Sequence, residues 1–128
     1  MSKKIAHITQ AKHNEQVARD MIAPPLTHRD WSVVAIFYSS VHYLEASWAD
    51  SGIHSRNHGE RHDFVRKHHS RDNDLRINSQ VLQDAGWIAR YLSEERLNTE
   101  VAQQLFDDGD VSMLFECLDG IKNCLHIV

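Results

Sequence analysis

Apolar residues recur at spacings of three and four along most of the chain, the period of a helix with one buried face. In the first such stretch, Lys3 to Ile22, the stripe is Ile5, Ile8, Ala11, Val17, Ala18 and Met21. Pro24-Pro25 closes it, because proline lacks the amide a helix needs and restricts the residue before it. Thr27 or Asp30 then stands where a side-chain oxygen can cap a second helix, Asp30 to Ser51. This stretch is the most apolar. Trp31, Val34, Tyr38, Val41 and Trp48 set the period, and Val33, Ile36, Phe37 and Leu44 widen the stripe past half the circumference. A helix with so broad an apolar face is expected at the centre, packed on several neighbours. Gly52 is its expected stop.

From Ile53 to Arg71 the pattern turns polar. Asn57 and Glu60 have capping-box spacing, which predicts a short helix over Gly59 to His69. Residues 70–74 read as a loop. Helical spacing resumes over Leu75 to Arg96, with Ile77, Val81, Ala85, Ile88 and Leu92 on one face. Asn98 or Thr99 is placed to cap a short segment, Glu100 to Phe106. Asp110 is the expected cap of a last helix carrying Val111, Leu114, Leu118, Ile121 and Leu125. The expected fold is all-α: an up-and-down antiparallel bundle of four to five helices, a single domain over residues 1–128.

Composition supports this. Five glycines and two prolines in 128 residues are too few for the turns of a sandwich or barrel. A hydrophobic share of 41% and a charged share of 25% fit a folded soluble domain and exclude a disordered chain. No apolar run approaches the roughly 20 residues of a membrane span, and Met1-Ser-Lys-Lys-Ile-Ala-His lacks a signal-peptide core, so a cytoplasmic protein with no membrane partner is expected. Cys117 and Cys124 lie seven residues apart, about 10.5 Å along a helix and too far for a mutual disulfide. They read as core residues. Asp107-Asp-Gly-Asp begins like a calcium loop but lacks the later ligands, and reads as a turn with a cap.

Charge changes the picture more. The net charge is −4, yet residues 54–71, HSRNHGERHDFVRKHHSR, hold five of ten histidines and five of fourteen Lys/Arg against two acids. The segment is therefore +3 and the remainder −7. Such asymmetry favours an anionic ligand here, RNA phosphate or a nucleotide; a solvated basic helix face is the competing reading. His54, His58 and His62 are four apart, but Gly59 argues against one continuous helix and no carboxylate or cysteine sits at diagnostic spacing, so neither a metal nor another cofactor is expected. Acid–base chemistry is the third reading. Arg56 with His62, or Arg61 with His68, has the spacing for an arginine that holds phosphate and an imidazole that takes a 2′-hydroxyl proton.

Three elements in order carry a family resemblance. Trp31-Ser-Val-Val-Ala-Ile-Phe-Tyr-Ser-Ser-Val-His-Tyr-Leu-Glu-Ala resembles the FYxxxHxxEA-type helix of HEPN domains. Ser55 to Arg66 resembles the His/Arg turn that follows it in one bacterial and archaeal branch, and Ala89-Arg90-Tyr91 that branch's Ala-Arg-Tyr element. The resemblance covers about half the chain, Asp30 to Leu92. It implies a helical bundle that dimerises and acts on or binds RNA, in many relatives as a metal-independent ribonuclease toxin paired with a nucleotidyltransferase-like antitoxin. The family's signature, an arginine followed four to six residues later by histidine, usually ends the long helix. Arg90 stands there, but residues 91–97 contain no histidine. Arg56-Asn57 with His62 has the family's spacing and polar second residue in an earlier segment.

The expected site follows. Arg56 would hold the scissile phosphate, His62 would act as base or acid and Asn57 would position the backbone. Arg61, Arg66, Lys67 and His58 would supply further nucleic-acid contacts. A homodimer is the expected assembly. The alternative function is a non-catalytic helical interaction module, for example the partner of a nucleotidyltransferase-like protein. The spacing of Trp31, Phe37, Tyr38, Tyr43, Trp48, Trp87 and Tyr91 reads as core or dimer seam rather than base stacking. His42 reads as a satisfied core histidine. Glu45, if buried, needs a basic partner such as Arg61.

Overall fold

The computed structural model describes residues 3–91 and 105–127. These form five helices: α1 Lys3–Ile22, α2 Arg29–Ala49, α3 His58–His68, α4 Asn73–Tyr91 and α5 Asp108–Cys124. Helices α1, α2, α4 and α5 run up and down, and α3 is a short link between the second and third of them. The expected all-α bundle is the fold observed. Among the described residues no helix is long and apolar enough to cross a membrane.

α2 is the central helix, packed on α1, α4 and α5. Val33, Ile36, Phe37, Tyr43, Leu44 and Trp48 of α2 are all buried. Against α1 it sets small residues. Ser39 Oγ donates to the Ala11 carbonyl at 2.8 Å and Ser32 Oγ to the Ala18 carbonyl at 2.7 Å. Both alanines are fully buried. Each pair is seven residues, two turns, from the other, so the antiparallel helices meet along one seam where no bulky side chain intervenes. The larger α1 residues of the expected stripe flank this seam: Ile8, Val17 and Met21 are half-buried and Ile5 is exposed.

α4 faces inward through Leu75, Leu82, Ala85, Gly86 and Ala89. Of the expected face, Ala85 is buried and Val81 packs against the core, but Ile77 is 61% and Ile88 36% exposed. Size explains the difference. At Gly86 an added Cβ would stand 2.6 Å from Phe37 Cγ. Around Gly86 the contact with α2 therefore demands small residues, while Leu75 and Leu82 fill the core further along the helix.

Helix starts differ from expectation in three places. α2 begins after His28 with no side-chain cap; Thr27 does not cap it and Asp30 lies in its first turn, where a carboxylate complements the helix dipole. Asp72 Oδ1 accepts from the Leu75 amide at 3.0 Å, so α4 starts inside the expected loop. α5 is capped by Asp107, with Asp110 as the returning partner of a full capping box rather than the cap itself. The expected cap at Asn57 is present: its Oδ1 accepts from the Glu60 amide at 2.8 Å. Leu92 to Arg96, and the cap expected at Asn98 or Thr99, lie outside the described residues. Cys117 and Cys124 are free thiols, the first buried.

Candidate functional site

Three elements bring side chains together around His58. Because α3 starts at His58, this residue and Arg61 sit one turn apart on the same face. Arg61 Nη1 lies 2.6 Å from His58 Nδ1. From α4, Arg90 Nη1 lies 3.4 Å from His58 Nε2 and donates to the Tyr38 hydroxyl of α2 at 2.7 Å. The Arg90 guanidinium also stands over the Phe37 and Tyr38 rings, 4.9 and 5.4 Å from their centroids, and its Nε donates to the Gly86 carbonyl at 3.0 Å. Aromatic faces and a carbonyl thus fix the arginine's plane.

A guanidinium can only donate, so Nδ1 of His58 accepts from Arg61. The neutral ring then carries its proton on Nε2, which faces another donor, Arg90. Burial, then Arg61 and Arg90, hold the His58 pKa below the ordinary histidine value. Two cations and a ring N–H therefore converge, and among the described residues no acceptor bridges Nε2 and Arg90.

Glu45 supports this group from behind. It is 6% exposed. Arg61 Nε donates to its Oε1 at 3.5 Å, and the Ser55 amide to its Oε2 at 3.4 Å; the Ser55 hydroxyl bonds it too. The buried acid on the apolar helix has the basic partner expected for it. Burial lowers the Arg61 pKa and Glu45 partly offsets this.

The other predicted site residues lie elsewhere. The Arg56 side chain is 84% exposed and paired with Glu60 Oε2 at 2.8 Å. Asn57 caps α3. His62 follows His58 by one turn on α3 and is half-buried; Arg66 and Lys67 are exposed near the end of the helix. The structure thus groups His58 and Arg61 with Arg90. No histidine follows Arg90 within residues 91–97, and the imidazole beside it comes from 32 residues earlier. The signal available was Arg90 itself, which the resemblance had already marked.

Further histidines are accounted for. Trp48 Nε1 donates to His69 Nε2 at 2.9 Å, tying the end of α3 to α2. His42 meets His7 of α1, with Nδ1 atoms 3.0 Å apart. The aromatics divide: Phe37, Tyr43 and Trp48 are buried, while Trp31, Trp87 and Tyr91 are exposed. No family model and no curated protein matches the chain.

Proposed function

We propose that this is a HEPN-like, RNA-associated domain of the cytoplasm whose phosphate site is His58, Arg61 and Arg90. The observation that carries the reading is the convergence of two guanidinium groups on the His58 ring. An oxyanion placed between Nε2–H and Arg90 Nη1 would accept from both, and the cations would hold it in a partly desolvated place where charge–charge attraction is strong. Arg66 and Lys67 extend the basic surface along α3. Arg56 and Asn57, engaged with Glu60 and the α3 amides, serve the helix start in this reading.

Cleavage would need no metal. The phosphate draws the arginines from the ring, and neutral His58 takes the 2′-hydroxyl proton. The 2′-oxygen attacks phosphorus, the bond to the 5′-oxygen breaks and that oxygen takes a proton from water, whose hydroxide is neutralised by the proton His58 then gives up. The products are a 2′,3′-cyclic phosphate and a 5′-hydroxyl end. The arginines stabilise charge on the non-bridging oxygens in the transition state.

A homodimer is the assembly proposed with it. Ile77, Trp87, Ile88 and Tyr91 leave a large apolar surface on α4, with the Trp87 and Tyr91 rings 4.5 Å apart. Such surface favours a protein contact. Its occupant here is a second copy; an antitoxin-like protein is the alternative.

The test is RNA cleavage and binding in EDTA, with sedimentation of the same samples. His58→Ala and Arg90→Ala should each abolish cleavage, or weaken salt-dependent binding at least tenfold, while Arg56→Ala and His62→Ala keep it. Dependence on Arg56 and His62 instead would return the chemistry to that pair. Absence of cleavage and of salt-sensitive binding in every form would overturn the RNA reading, since phosphate contacts release counterions. Trp87→Glu should shift the dimer to monomer.

A further inference from the structure

A second group of polar side chains lies behind the first, where α1, α2 and the α2–α3 connection meet. His7 comes from α1, Glu45 from α2 and His54 from the connection. Each offers a ligand atom, and these atoms lie within 4.8 Å of one another. They are 38 and 9 residues apart in sequence, so no local pattern announces them. His7 Nδ1 is engaged by His42 Nδ1 at 3.0 Å. That contact fixes the orientation of the His7 ring, the part that outer partners commonly play for metal-bound histidines.

We infer that His7, Glu45 and His54 form a binding site for a divalent transition ion of zinc type, with His42 orienting His7. Two imidazoles and one carboxylate are the donor set of many three-ligand zinc centres, which leave a fourth position for water. With bonds of about 2.0 Å, tetrahedral ligands stand about 3.3 Å apart. Closing from 4.8 Å asks for shifts of about an ångström, within reach of rotation by exposed His54. Glu45 can take part without leaving its present partners. Its two oxygens offer about four acceptor positions, and Ser55 and Arg61 use three. A carboxylate buried beside two imidazoles is also a poor candidate for a chance surface cluster, where acids are solvated. The alternative surface pair is His58 and His62, one turn apart on α3.

The ion would join α1 to the connection that leads into α3. It would share Glu45 with Arg61, and so lie one carboxylate away from the proposed phosphate site. The inference does not rest on the RNA reading, since its ligands are other residues.

The test is titration of chelator-stripped full-length protein with Zn2+ by calorimetry, and with Co2+ followed by visible absorption. One ion per protomer is expected, with cobalt bands of low coordination number. His7→Ala and His54→Ala should each weaken that ion at least tenfold with helicity unchanged by circular dichroism. His62→Ala should leave it bound, and His42→Ala should weaken it by less than His7→Ala. No tight ion, an ion retained in both His7→Ala and His54→Ala, or one lost with His62→Ala, would overturn the assignment. Because Glu45→Gln disturbs a buried group, the conclusion is drawn from the two histidine variants.

Discussion

His7, His42, His58 and His69 share one direction of shift. Burial, the largest cause at each, lowers their pKa below the ordinary histidine value. The unfolded chain takes up these protons near pH 6.5, while the folded chain resists them to lower pH. Unfolding therefore binds protons in that window, and stability rises with pH through it. We expect a plateau of the thermal midpoint above about pH 7 and a fall as pH drops through 6.5 and below, measured without metal. A midpoint flat to pH 5 would contradict it. Glu15 acts in the same sense at lower pH. Burial opposes its ionisation, but hydrogen bonds from Lys122, Tyr43 and Arg19 outweigh this and hold its carboxyl below the usual range. Gly86 gives a second residue-scale expectation. Gly86→Ala removes a helix-breaking residue, worth about 1 kcal/mol in favour of the variant. However, the new methyl meets the Phe37 ring at 2.6 Å. Overpacking of this kind costs about 1–3 kcal/mol, so the variant should be no more stable than the parent by urea denaturation, against the gain an exposed helical glycine would give.

At the scale of elements, the sequence was most legible where bulk and period agree. The apolar breadth of α2 marked it as central because a helix apolar over more than half its circumference must be covered on several sides. Asn57 and Glu60 marked the start of α3 because a cap is a local bond, complete within four residues. Legibility failed at α4 because close helix contact selects small side chains. Gly86 and Ala89 carry little hydrophobic signal, while Ile77 and Ile88 carry much and are exposed. In α1 the expected stripe held both Ala11 and Ala18, which make the seam, while its Ile5 is exposed. The candidate site was half legible. His58, Arg61 and Arg90 were all singled out, and Glu45 was given the right partner. Their convergence was not, because it depends on how α3 lies across α2 and α4, and no spacing along the chain encodes that. His7 with His54 was invisible for the same reason.

At the scale of the whole molecule, anchoring is uneven. α1 and α2 are joined by a long seam and by hydroxyl-to-carbonyl bonds, and α2 is held in turn by α4 and α5. By contrast α3 has one buried residue, Val65, and is otherwise fastened by side chains: His58 by Arg90, Arg61 by Glu45, Phe64 and His69 by Trp48. The proposed site therefore has a fixed half, Arg90 and Tyr38, and a half riding on the described helix with the fewest buried residues. Local opening costs least where few apolar contacts are lost. α3 can then lift from the bundle without the bundle unfolding, uncovering Arg90 and carrying His58 away. In deuterium uptake, the α3 amides should exchange through this partial opening, well ahead of α2. An anion captured between the two halves would slow α3 selectively, so that ligand occupancy is read as the exchange rate of a single helix.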